Sequence, residues 1–228
     1  MLLNQPRRFV LQDCYWGQAY DDSQVADFLR ANAIPHQCFD DQDRMLDRVV
    51  DELVDGKVIG WFRGRFEWGP RALGNRSILA DPRRPEMKTI VNAKIKFREP
   101  FRPFAPVVLE ERAAEYFDLP QPERQFLARF MLLVAPIHTA RQDAIPAVSH
   151  LGTGRLQTIR CDTNAAYYNL VRKFGQATGV PVLLNTSYNL RGEPIVSSPA
   201  NAMATFNNSG LDTLVMDRFL IHKAGGTQ

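Results

Sequence analysis

Pro100, Pro103 and Pro106 hold the end of a long basic stretch in an extended path that no helix can follow, because each ring fixes φ and removes a backbone donor. They close the segment Gly60 to Pro106, GWFRGRFEWGPRALGNRSILADPRRPEMKTIVNAKIKFREPFRPFAP. From Gly60 to Phe104 this segment carries eleven Lys or Arg against four acids, Glu67, Asp81, Glu86 and Glu99. That is +7 locally in a chain whose total is +3, so the remainder sums to −4. The cations are interleaved with glycine, proline and aromatics instead of forming a solvated run. Glycines let a backbone approach a ligand closely, and arginine forks match phosphate or carboxylate oxygens. The stretch reads as an anion site.

At 228 residues the chain can bury a substantial core, and residues 1–228 read as one domain. Its 45% hydrophobic and 23% charged residues are ordinary for a soluble globular protein. No apolar run approaches the roughly 20 residues that span a bilayer. MLLNQPRRFVLQDCYW lacks the order of a secretory signal, so a cytoplasmic location is expected. Cys14, Cys38 and Cys161 are odd in number and have no CxxC spacing, which points to packing thiols and away from disulfides or zinc.

Periodicity sets out alternating helices and strands. Val25, Phe28 and Leu29 predict a helix capped by Ser23, and a short strand follows around His36 to Phe39. Met45, Leu46, Val49, Val50 and Leu53 predict a second helix stopped by Gly56. Lys57 to Phe62 and Ser77 to Ala80 read as strands, with Asp81-Pro82 ending the latter. Met87, Ile90, Val91 and Ile95 mark a helix, and Ala113 to Phe117 another. Phe130 to Ala135 and Arg155 to Arg160 read as strands, the second opened by the Gly152–Gly154 turn. A helix buries Tyr167, Leu170, Val171 and Phe174 and ends near Gly175 to Gly179. Val180 to Leu184 is a buried strand, Ile195-Val196 a short one, and Ser198 caps a helix with Pro199 at N1 and Met203 and Phe206 inward. Leu211 to Ile221 supplies a last strand or pair of strands. The expected class is α/β (α+β), an open mixed sheet flanked by helices.

Three constellations carry chemistry. Gly69-Pro70-Arg71-Ala72-Leu73-Gly74 matches the first six positions of a P-loop, but Asn75 and Arg76 stand where that motif needs Lys and Ser or Thr. A GxGxxG fingerprint is absent too, so any nucleotide needs another cradle. Arg71, between two glycines, is placed like a phosphate fork. Lys96 and Arg98, two residues apart in an extended segment, would lie on one face, either facing a polyphosphate with Arg102 closing the ring or forming a solvated edge strand blunted by charge. The polar run Asn185-Thr186-Ser187-Tyr188-Asn189 follows a strongly apolar strand, where open α/β sheets place ligands. His36, His138, His150 and His222 form no metal-ligand spacing; His150 alone sits near a glycine turn and Arg155. Glu67 and Glu193 read as carboxylates that orient arginines.

Lys-x-Arg with a distant Ser-x-Asn (Lys96, Arg98, Ser187, Asn189) resembles the signature of YrdC/Sua5-type domains. More closely, GRFEWGPRALGNRSILADPR, KFREPFRPFAP and PVLLNTSYNLRGEPIV resemble the C-terminal, YrdC-like domain of the NodU/CmcH-type O-carbamoyltransferases, from about Tyr15 to Lys223. Trp68 departs from that pattern, which has a smaller aromatic there. The resemblance implies a YrdC-like twisted sheet that binds ATP, Mg²⁺ and carbamoyl phosphate and forms carbamoyl-adenylate. It implies Arg71, Lys96 and Arg98 as catalytic cations, and Arg102, Arg155, Gly69, Gly74, Asn185, Thr186, Ser187 and Asn189 around the nucleotide and carbamoyl phosphate, with no protein ligand assigned to the metal. It also implies a Kae1/Hsp70-like N-terminal transfer domain, covalent or in trans, that carries the carbamoyl group to a hydroxyl of a natural-product acceptor. The alternative is a nucleic-acid or nucleotide-binding module without catalysis; the modest net charge and the lack of an aromatic ladder weigh against nucleic acid.

Overall fold

The computed structural model describes residues 9–223. Strands that are buried at every position form its centre. They are β2 (Ile59–Phe62), β3 (Arg76–Ala80), β4 (Ala105–Leu109) and β8 (Thr213–Met216), each buried along its whole length. Such strands need cover on both faces, unlike the alternating strands of a half-exposed sheet. The others are β1 (Gln37–Cys38), β5 (Leu133–Pro136), β6 (Thr153–Ile159), β7 (Val182–Ser187) and β9 (Phe219–His222). They complete a nine-stranded open sheet in the order β1-β9-β8-β2-β3-β7-β4-β6-β5. The β2–β8 and β4–β6 pairs are parallel and the rest antiparallel, so the expected mixed sheet is what the chain forms.

Two apolar cores cover the two faces. Ile59, Trp61, Leu79, Val107, Leu183 and Val215 meet α2 (Gln42–Val54) and α5 (Ala165–Thr178) on one side. Phe62, Ile78, Ala80, Val108, Leu184 and Leu214 meet α1 (Asp22–Ala31), α3 (Met87–Val91) and α6 (Pro199–Asn207) on the other. A single turn, α4 (Thr139–Gln142), lies between β5 and β6.

Several expectations are corrected. Asp21, not Ser23, caps α1, because its carboxylate accepts the Gln24 N–H while Gln24 returns a bond to the Asp21 N–H. Ser23 falls in the first turn and donates to the same carboxylate. Phe126–Phe130 is a 3-10 turn and Met131 takes a left-handed φ of 56°, so β5 starts at Leu133, later than Phe130. Glu110–Glu115 is likewise 3-10. Ile195-Val196 forms no strand; Val196 N–H bonds the Tyr188 carbonyl instead. Cys14 is buried as expected, whereas Cys38 and Cys161 are exposed.

Gly74 joins the sheet to α5. Its φ is 110°, and a Cβ there would stand 2.1 Å from the ring of Tyr167, which is itself fully buried. Gly74→Ala therefore combines a strained backbone with a clash against core, and its expected cost is on the order of 2–4 kcal/mol. Urea unfolding of the variant measures this, and an unchanged midpoint would contradict it.

Candidate anion site at the end of the central strands

The glycine loop is built around a buried carboxylate. Glu67 is 1% exposed. Its Oε1 accepts the backbone N–H groups of Leu73 (2.9 Å), Asn75 (2.7 Å) and Arg76 (3.1 Å). The carbonyls of the same turn are held from the sheet: Asn185 Nδ2 donates to Ala72 O at 3.1 Å and Gln157 Nε2 to Leu73 O at 2.8 Å. Trp61 Nε1 donates to Gly74 O at 2.9 Å. Tyr15 Oη adds a second bond to Leu73 O at 2.8 Å. Side chains of β2, β6 and β7 thus fix the loop, which gives its backbone no freedom to collapse. Burial pushes the Glu67 carboxyl above its ordinary value, while the amides of Asn75 and Leu73 and the charge of Arg76 pull the other way. Glu67 was expected to orient arginines; it organises amides instead. Glu193 departs in the same way, accepting the Leu190 N–H at 3.1 Å.

Arg71, carried by this loop, lines a pocket of about 70 Å³ with Arg98, Arg155, Asn185, Thr186 and Ser187. Pro70, Phe104 and Met131 supply apolar wall. Other arginines of the region are already engaged, Arg63 with Asp217, Arg83 with Asp81 and Arg102 with Glu99. Arg71, Arg98 and Arg155 have no ion pair among the described residues, and the Nε of each is buried without a hydrogen-bond partner. Burial lowers the Arg155 pKa, and the nearby charges of Arg71 and Arg98 lower it further. Arg98 lies over the Phe104 ring, its Cζ 4.6 Å from the centroid, and donates to the Pro103 carbonyl at 3.3 Å. Three guanidiniums thus converge on one pocket without an ion-pair partner among the described residues, an arrangement suited to an anion.

Lys96 plays a different part from the one its spacing suggested. Asn92–Lys96 is a π-helical turn and Phe97 is left-handed, φ 45°, so Lys96 and Arg98 do not share the face of an extended segment. The Lys96 ammonium is buried and donates to Ser187 O (2.6 Å), Asn189 O (3.0 Å) and Asn189 Oδ1 (2.8 Å). Ser187 Oγ donates to the same Asn189 Oδ1 at 2.7 Å. Lys96 therefore holds the turn after β7, and Ser187 is the member of that cluster that reaches the pocket. Asn189 lies behind it, tied also to Glu193 O at 2.7 Å. Arg102 is outside the pocket lining, half exposed and paired with Glu99 at 2.7 Å, although its charge still lowers the Arg98 pKa. Gly69 and Gly74 have φ of 119° and 110°, conformations that favour glycine.

Gln157, Asn75 and the buried Arg76 were missed. Arg76 stacks 3.7 Å over Phe62 and donates to Arg63 O (2.7 Å) and Gly64 O (3.1 Å), so it serves the fold. Burial lowers its pKa to about 10 against the pull of Glu67 and Asp217. Gln157 had a readable signal, a polar residue at an inward position of a strand.

Burial, and then the charge of Arg98, draw the Lys96 ammonium from its ordinary 10.5 to about 7. Below about 7 both folded and unfolded chains hold the proton. Between there and 10.5 only the unfolded chain does, so this group makes folding more favourable as pH rises. Wild-type protein should therefore gain stability relative to Lys96→Met between about pH 7 and pH 9.5, as read from urea midpoints; a difference independent of pH would contradict this.

Residues 50–223 match the family described as Carbamoyltransferase C-terminus. Nodulation protein NolO of Bradyrhizobium diazoefficiens is 45% identical over 215 residues, covering 93% of this chain and 39% of that protein. Nodulation protein U of Sinorhizobium fredii is 41% identical over 158 residues, covering 69% of this chain and 27% of that protein. Full-length HypF, solved in a phosphate- and nucleotide-bound form, shares the fold, with TM-score 0.54 over 83% of this chain and 23% of that chain at 14% identity. The chain spans well under half the length of these curated relatives. With the family match running from α2 to the end of β9 and NolO alignable over 93% of the chain, the protein belongs to the carbamoyltransferase C-terminal family.

Proposed function

We propose that this chain performs the activation half of an O-carbamoyltransferase, forming carbamoyl-adenylate from ATP and carbamoyl phosphate. The observation that carries the reading is the convergence of Arg71, Arg98 and Arg155, free of carboxylate partners, on one small pocket beside the end of β7. At about 70 Å³ the enclosed volume is far below the roughly 300 Å³ of a whole small-molecule site. It suits a phosphoryl or carbamoyl end, with the nucleoside lying over the open surface beyond.

Water cleaves carbamoyl phosphate to carbamate and inorganic phosphate. A carbamate oxygen then attacks the α-phosphorus of ATP, the bond to the β-phosphate oxygen breaks, and pyrophosphate leaves. Negative charge gathers on non-bridging and leaving oxygens, and three fixed guanidiniums stabilise it without reorganising. The Thr186 hydroxyl offers an orienting hydrogen bond, and Lys96 keeps Ser187 in place at the pocket wall. No side-chain nucleophile is needed. Among the described residues no three His, Cys, Asp or Glu come together to hold a metal. Mg²⁺ would in this reading come with the substrate phosphates and would neutralise their charge. Transfer to an acceptor hydroxyl, of a natural product in this reading, then belongs to a Kae1/Hsp70-like domain, covalent or in trans.

The test is pyrophosphate release by the chain with ATP, Mg²⁺ and carbamoyl phosphate. Release should depend on carbamoyl phosphate and fall by roughly 10²–10³ in Arg71→Ala, Arg98→Ala or Arg155→Ala. Arg102→Ala, outside the pocket, should lose less than about tenfold. ATP binding without carbamoyl-phosphate-dependent release would overturn the reading.

A further inference from the structure

Beside Glu67 in the chain, Trp68 belongs to a surface hollow whose lining carries no charged side chain. Phe9, Leu11, Cys14, Trp16 and Trp68 line a hollow of about 420 Å³. Phe9 is 59% exposed, Trp16 56% and Trp68 78%. Aromatic side chains bury roughly 150–250 Å² each when covered, so leaving three in water forgoes a large apolar contribution.

Backbone bonds and an aromatic contact tie this surface to the fold. The Phe9 and Trp16 rings meet edge to face with centroids 5.7 Å apart. Backbone bonds stitch the segment to the basic stretch: Trp68 N–H to Cys14 O at 2.7 Å, Gly17 N–H to Phe66 O at 2.9 Å and Phe66 N–H to Gln18 O at 2.8 Å. Trp16 Nε1 donates to Asp13 O at 3.2 Å, which fixes the indole edge. A pre-ordered aromatic cluster with no charge at its centre has the composition of an interface hot spot. Its position also matters. Trp68 lies between Glu67, which anchors the glycine loop, and Gly69, which opens it, so whatever covers Trp68 stands beside the segment that carries Arg71.

We propose that this hollow docks the transfer part of a carbamoyltransferase, which would cover Trp16 and Trp68 with apolar side chains of its own. The occupant follows from length. The NolO alignment takes in 93% of this chain but only 39% of that protein, and the matched family is a C-terminus, so most of such an enzyme lies outside the matched segment. The proposal rests on the activation reading above and adds the surface that the transfer part covers. Trp68 is three residues ahead of Arg71, so docking there sets the seam beside the loop that carries a pocket cation.

The test pairs the full chain with the part of NolO outside the match, co-expressed as a separate polypeptide, and measures complex formation by analytical ultracentrifugation. A one-to-one complex is expected, weakened at least tenfold by Trp68→Lys and by the Trp16→Ser/Trp68→Ser double variant. Pyrophosphate release by the isolated variants should stay within about twofold of wild type, since neither tryptophan lines the pocket. No complex with wild type, or equal binding by the variants, overturns the proposal. Self-association abolished by the same variants would make a second copy the occupant. A red shift of tryptophan emission on deletion of residues 1–8 would make those residues the cover. Loss of binding in the variants while wild type releases no pyrophosphate would leave the docking surface standing and remove the activation reading.

Discussion

One carboxylate oxygen organises the region on which the site depends. Glu67 Oε1 takes three backbone N–H groups of a turn whose carbonyls are already claimed by Asn185, Gln157 and Trp61. Buried amides without partners cost about 1–3 kcal/mol each, so the carboxylate and the turn require one another. The arrangement resembles an anion nest that the protein fills with its own acid, which leaves the outward side of the loop to present Arg71. The desolvation that raises the Glu67 pKa is offset only in part by those amides and by Arg76, itself buried over Phe62.

The sheet does the rest of the positioning. β7 runs between β3 and β4, so Asn185 is paired with Leu79 on one side and Ala105 on the other. Its last residues emerge beside Arg98 and Arg155, the second of these in register with Val134 on β5. Holding three guanidiniums together opposes their mutual repulsion, and the rigid strands and the Phe104 ring supply the restraint. That cost is what a preorganised anion site recovers when the ligand arrives. Lys96 contributes from behind, fixing the turn that offers the Ser187 hydroxyl.

Much of this was legible in the amino-acid sequence because the central strands are buried at every position and the longer helices carry clear apolar stripes. The apolar run into Asn185 located the end of β7, and the failed P-loop match at Asn75-Arg76 directed attention to another cradle. What escaped depends on single dihedrals and distant partners. Nothing in Lys-Phe-Arg announces that Phe97 turns left-handed and separates the two cations. Glu67 looked isolated because the amides it binds lie six to nine residues ahead. Arg102 looked like a fourth pocket cation because its pairing with Glu99 is a matter of side-chain geometry. Asp21 displaced Ser23 as a cap by one small shift of register, a choice that spacing alone leaves open.

The central claim is that Arg71, Arg98 and Arg155 form one anion pocket whose shape the Glu67 loop sets in advance. A crystal structure of the chain grown with carbamoyl phosphate tests it most directly. The account predicts a phosphoryl group in that pocket, with oxygens at roughly 2.7–3.1 Å from at least two of the three guanidiniums and the Gly69–Gly74 backbone in place. A phosphoryl group bound elsewhere on the protein, with the pocket holding only water, would contradict it.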